Sequence, residues 1–235
     1  MEHIETSHQR LMLGLADLTD TQVRQPSLLP GWTIGHTLSH IALNAEAFVR
    51  VAKGLAAGEV GSMYPTSESR DAAIEAGARR SAQEIVAHCQ AANAELLAIW
   101  STLTADQILS GQANRVPGTP TFPATNIPLA RLREVEVHGS DTGLPALTIA
   151  LWSSAYVDVD LPVQLPTVAS RLGHSFSAVD ETGAIHTSGA SGGATGPHPI
   201  PCTRRDLLAW TLNRAQPKGF PSIGSWQAPP PPPAP

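Results

Sequence analysis

The chain has 235 residues, 42% of them hydrophobic, with a net charge of −5 and a pI near 6.0. That length can bury one large core or two modest ones, and the acidic balance lacks the basic footprint of a nucleic-acid binder. No apolar run is long enough to span a bilayer, and the charged start (MEHIETSHQR) has no signal-peptide core, so a soluble, cytoplasmic protein is expected.

Residues 3–18 carry Ile4, Leu11, Leu15 and Leu18 near helical spacing. Pro26 and Pro30-Gly31 break the chain, and Thr33 stands where it can cap a second helix. In that helix Ile34, Leu38, Ile41, Ala45, Phe48 and Ala52 form one apolar stripe. Gly54, Gly58 and Gly61 open a loop. The pattern then predicts one long Ala-rich helix from about Ser67 to Trp100, with Ile74, Ile85, Leu96 and Ile99 facing a core. Three prolines and two glycines make residues 111–125 read as a loop. Asn126 is placed to cap a fourth helix, with Pro128 near its first turn, ending near Gly139. Four such helices suggest a bundle.

After Gly143-Leu144-Pro145 the character changes. Short β-prone pieces (Ser175 to Val179, Ala184 to His186), Gly/Ser-rich turns and a helix from about Thr203 to Arg214 follow. The expected fold class is therefore α+β: a helical bundle over 1–145, a small α+β domain over 146–226, and an extended polyproline tail over 227–235. The Gly-rich stretch 188–196 lacks the Lys-Ser/Thr and following helix of a phosphate loop, so a flexible turn is expected. No long exposed apolar face stands out, which favours a monomer.

Two patterns carry potential chemistry. His36 and His40 sit four apart on the second helix; Glu134 and His138 sit four apart on the fourth, sharing a face with Ile127, Arg131 and Asp141. A histidine plus Glu-x-x-x-His on two bundle helices supplies three N/O donors and leaves one position of a zinc site open. An exposed helix face explains the same spacing, and spacing alone leaves both readings standing. Helical phase puts His40 closer to the apolar stripe than His36. The other histidines have no partner at ligand spacing, and the five tryptophans read as core or interface. Cys89 and Cys202 lie far apart outside any Cys-x-x-Cys pair, so neither a redox site nor an activated nucleophile is expected.

The stretches GWTIGHTLSHIALNAEAF, MYPTSESRDAAI, REVEVHGSDTG and LAWTLNRA resemble the mycothiol-dependent maleylpyruvate isomerase family, whose N-terminal part belongs to the DinB-like metal-binding bundle superfamily. The likeness is strongest around residues 31–48 and 133–143 and weakest in the second domain. By motif it implies His40, Glu134 and His138 as zinc ligands, with His36 a neighbour outside the set. It also implies active-site roles for Arg70 and Arg214, and a supporting role for Asp141 behind a ligand histidine. The cofactors implied are Zn2+ (or another divalent metal) and mycothiol or another low-molecular-weight thiol. The reaction implied is conversion of maleylpyruvate to fumarylpyruvate by reversible thiolate addition to the C=C bond. A thiol S-transferase and a non-catalytic DinB-like metal-binding protein remain the alternative readings. The partners expected are a small-molecule substrate and the thiol, with neither nucleic acid nor membrane.

Overall fold

The computed structural model describes residues 1–189 and 199–223. His198, most of the Gly-rich stretch and the proline-rich tail lie outside the described residues. The chain divides into two compact units, Met1–Leu151 and Trp152–Pro235. The change of character after residue 145 thus precedes the division, because the intervening segment folds back on the first helix. Leu147 packs so closely on Gly14 that a Cβ there would meet it at 2.6 Å, and Arg10 donates to Leu151 O at 2.9 Å.

The first unit contains α1 (Glu2–Gly14), α2 (Asp20–Val23), α3 (Ile34–Ala56), α4 (Ser67–Ala78), α5 (Ala82–Ser101), α6 (Ala105–Leu109) and α7 (Ile127–Asp141). α3 is its central element, packed against α4, α5 and α7, while α1 packs on α7. Leu11, Leu38, Ile41, Phe48, Ile85, Leu96 and Val135 meet in one apolar core. Each such side chain contributes about 1.5–3 kcal/mol when fully buried. Thr33 caps α3 in a reciprocal box: its hydroxyl accepts from His36 N–H, and His36 Nδ1 accepts from Thr33 N–H at 3.2 Å.

The single long helix expected from Ser67 to Trp100 is two helices. Ser81 starts α5 with a capping box of its own, the Glu84 carboxylate accepting from Ser81 N–H at 2.8 Å. Arg24 then takes up the carbonyls left over at the end of α4, donating to Arg79 O and Arg80 O at 2.9 Å each and to Ala78 O as well. Apolar periodicity runs straight through this corner, which is why the pattern concealed it.

The expected loop at 111–125 also holds structure. β1 (Gly61–Ser62) pairs in parallel with β2 (Gln112–Asn114), which pairs antiparallel with β3 (Thr121–Pro123). This small sheet lies tight against α3: a Cβ on Gly61 would sit 2.6 Å from Val51 O. Asn126 makes no side-chain cap; it closes a 3-10 turn leading into α7, which carries Pro128 in its first turn.

The second unit begins with α8 (Ser154–Gln164), where no helix was expected because Pro162 and Pro166 disguise it, and α9 (Val168–Leu172). A three-stranded sheet of order β5-β4-β6 follows, from β4 (Phe176–Val179), β5 (Ile185–Ser188) and β6 (Ile200–Pro201). α10 (Arg204–Thr211) stops short of Arg214 in a Schellman turn: Asn213 adopts φ 57°, and Arg214 N–H reaches Ala209 O at 2.7 Å. Phe176, Trp210 and Phe220 stack at the centre of this unit, with Phe176 and Trp210 4.4 Å apart.

Candidate metal centre

α3 and α7 pack against each other, and polar side chains from both meet beside their shared apolar core. His40 projects from α3, and Glu134 and His138 from consecutive turns of α7. One donor atom from each falls within 4.8 Å of the others. Glu134 Oε2 lies 2.8 Å from His40 Nε2 and 3.5 Å from His138 Nε2, and the two imidazoles meet edge to face at 4.8 Å. His40 is 6% exposed, whereas Glu134 and His138 are half-buried.

The electrostatics favour donors in their coordinating forms. Burial lowers the His40 pKa despite the neighbouring Glu134 carboxylate, which favours the neutral imidazole. Burial alone would raise the Glu134 carboxyl, but His40, His138 and Arg131 together hold it well below the usual carboxylate range. Asp141 Oδ2 lies 2.8 Å from His138 Nδ1. A carboxylate oxygen accepts, so His138 Nδ1 is the donor of this pair and Nε2 is the nitrogen turned toward Glu134. Glu134 Oε2 is shut off from solvent and lacks an aligned hydrogen-bond partner, even with His40 Nε2 at 2.8 Å. The two atoms converge on common space rather than facing each other as donor and acceptor. Two imidazole nitrogens and one carboxylate oxygen, with a carboxylate behind one histidine, form a donor set that suits a divalent zinc-like ion.

His36 stands outside this group. Its ring is occupied with the α3 cap, with Glu75 Oε1 at 3.3 Å and with Trp32, on which it stacks at 6.3 Å. Arg70, at the start of α4, reaches the centre: its Nη2 is 3.4 Å from His40 Nδ1, and Nη1 pairs with the exposed Asp71 at 2.6 Å. Arg214 belongs to the second unit, where its guanidinium donates to Leu212 O at 2.9 Å.

Three nearby residues were given no role by the sequence, although Arg131 was placed on the Glu134 face. Trp32 lies edge-on to His40 at 5.6 Å; its offsets of four and eight residues from His36 and His40 were the available signal. Arg131 is fully buried and donates to Ile41 O at 2.8 Å and Asn44 Oδ1 at 3.0 Å. Burial pulls its pKa down to about 10, still leaving it charged at neutral pH. Tyr64 is buried close enough for Glu134 and Arg70 to act on its hydroxyl, whose pKa burial raises.

Neither cysteine offers a thiolate. Burial pushes Cys89 up to about 12 and Cys202 up to about 11. A nucleophilic sulfur at neutral pH would therefore have to come from outside the chain.

The family model described as the mycothiol maleylpyruvate isomerase N-terminal domain matches residues 4–143. The fold is similar to a crystal structure of a mycothiol-dependent maleylpyruvate isomerase, with a TM-score of 0.78 and 19% identity over 96% of this chain and 95% of that one. It is likewise similar to the crystal structure of a histidine-to-alanine mutant under the same name, at a TM-score of 0.76, 19% identity and the same coverage. At that identity the likeness carries the fold. A search of curated proteins finds no match.

Proposed function

The chain belongs to the mycothiol maleylpyruvate isomerase N-terminal domain family, and from that premise we propose that it is a thiol-dependent cis–trans isomerase acting on maleylpyruvate. The observation that carries the reading is the convergence of His40, Glu134 and His138, with a buried carboxylate oxygen that has no aligned partner. His40, Glu134 and His138 would hold a divalent cation, zinc or another. When bound, such an ion supplies a Lewis acid that keeps an external thiol deprotonated at neutral pH.

The chain's own residues do the remainder. Asp141 orients His138 by accepting from Nδ1, and His40, His138 and, to a lesser extent, the buried Arg131 charge keep Glu134 anionic. Arg70, beside His40, is positioned to donate to a carboxylate or to the oxygen that gains charge during addition. The external thiolate, with mycothiol the thiol suggested by the family's name, forms a C–S bond to the cis alkene, and the π electrons move onto the conjugated carbonyl as an enolate. Rotation about the former double bond and return of the electrons expel the thiolate and leave the trans product. Thiol and protons balance over the cycle. Arg214 is assigned to the same reaction by resemblance, and a charge-removing Arg214→Gln substitution tests that role.

The deciding experiment follows maleylpyruvate absorbance with purified, metal-analysed protein in the presence and absence of mycothiol. Thiol-dependent loss of the cis substrate supports the isomerase. A stable thiol adduct would replace it with an S-transferase. A bound metal with no turnover across a panel of thiols and electrophiles would leave a metal-binding module.

A further inference from the structure

Tyr64 is buried beside the candidate centre, and three arginines surround its ring. Arg50 Cζ, from α3, lies 5.8 Å from the ring centroid; Arg70 Cζ, from α4, and Arg115 Cζ, just beyond β2, lie at 5.9 Å each. The small sheet sets up this arrangement. The β1–β2 pairing continues past its last residues, with Met63 N–H donating to Asn114 O and Tyr64 N–H to Arg115 O, both at 3.0 Å. Arg50 holds the same segment from α3, its Nε donating to Met63 O at 2.8 Å. A loop more than forty residues downstream of Tyr64 in sequence is thereby fastened to the entrance of α4, and it brings a cation with it.

The charge on this patch is poorly balanced. Arg70 has the exposed Asp71 as a partner and Glu46 lies within electrostatic reach of Arg50, but among the described residues no carboxylate forms a close ion pair with Arg50 or Arg115. The face of an aromatic ring attracts each cation, by about 0.5–1 kcal/mol where exposed, yet the ring brings no net negative charge. Three guanidiniums around one ring therefore repel one another and favour an anion between them. Arg115 is exposed, so an incoming anion meets it first. The planar fork of a guanidinium matches a carboxylate. Arg70, common to this patch and to the His40 contact, makes the two contiguous.

We infer that Arg115 and Arg50, flanking Tyr64, form a carboxylate-binding subsite that selects acceptors bearing a second carboxylate. Only the identity of the acceptor rests on the function proposed above; anion binding does not. A carboxylate could be supplied by the acceptor or by a carboxylated thiol, and the two sources separate in the kinetics.

The test uses the full-length, metal-loaded protein without thiol, titrated calorimetrically with maleate above neutral pH and, in parallel, with monomethyl maleate. Arg115→Gln is expected to weaken maleate about tenfold or more, the effect of losing one charge-assisted pair, while monomethyl maleate is unchanged and Arg115→Lys falls between. In turnover, Arg115→Gln should raise the KM for the acceptor by a similar factor, with kcat and the KM for the thiol nearly constant. A rise confined to the KM of a carboxylated thiol would overturn the acceptor assignment. Equal maleate affinity in the wild type, Arg115→Gln and Arg50→Gln, or no maleate binding at all, would overturn the subsite. Maleate binding that depends on Arg115 without any turnover would uphold the subsite and defeat the isomerase. Turnover with a wild-type KM in Arg115→Gln would do the reverse.

Discussion

Glu134 in the first unit and Asp180 in the second each lie 2.8 Å from a histidine, yet they belong to different kinds of structure. Asp180 is saturated. Its Oδ1 accepts from Thr182 N–H, the Thr182 hydroxyl and Ala184 N–H at 2.7–3.0 Å, and its Oδ2 faces His186. Hydrogen bonds from His186 and Thr182 hold its carboxyl well below the usual range, and the product is a locked turn between β4 and β5. Glu134 is also held low, by His40 and His138 and then by Arg131, yet its buried Oε2 has no aligned donor. A carboxylate completed by its own turn anchors the fold, whereas one left incomplete between two imidazoles has capacity for a cation.

The sharpest break of this comparison removes the partner of one carboxylate and neutralises the other. His40→Ala is expected to reduce bound metal and thiol-dependent turnover to background, read by elemental analysis and the absorbance assay. Asp180→Asn should leave metal content unchanged while lowering the melting temperature. If Asp180→Asn loses the metal, the division between anchor and site fails.

Next in size is an acid effect from the buried His8 of α1, another satisfied polar group. Burial, then the Arg131 charge, lowers its pKa from 6.5 to about 4, and its Nε2 lies 3.1 Å from Cys89 O. As pH falls from about 6.5 the unfolded chain takes up this proton before the folded one does, so stability declines until about pH 4. The loss is on the order of 3 kcal/mol. Urea denaturation of His8→Gln across that window should show a shallower pH slope than the wild type.

Asp141→Asn removes the negative charge behind His138 while keeping the side chain's shape. Metal affinity should fall about 10- to 100-fold, measured by competition with a chelating dye, and less than for His40→Ala. The smallest effect is expected for His36→Gln. Glutamine can still accept from Thr33 N–H, so stability should change by no more than about 1 kcal/mol, with metal content retained. Loss of metal in His36→Gln would place the wrong histidine at the centre.

His36 and His40 show how far a pattern reaches. Four-residue spacing puts both on one helix, and phase against the apolar stripe turns His40 inward. Only the partner helix separates their uses, because α7 presents Glu134 and His138 opposite His40 while the α3 cap claims His36. The corner between α4 and α5 was written locally as Ser81-x-x-Glu84, but its completion by Arg24 is a contact across more than fifty residues. Arg50, Arg70 and Arg115 come together at Tyr64 through a two-residue parallel pairing, too short to leave a hydropathy signature.

Local rules therefore determined most helices of the first unit, the shared face of Glu134 and His138, and the change from bundle to mixed α/β character. Those features depend on periods of 3.6 and 2 and on capping residues within reach of one turn. Tertiary structure decided which side chains complete each other. Convergence of donors, burial of Arg131 and the arginines around Tyr64 are distances between segments far apart in the chain, and no local period encodes such a distance.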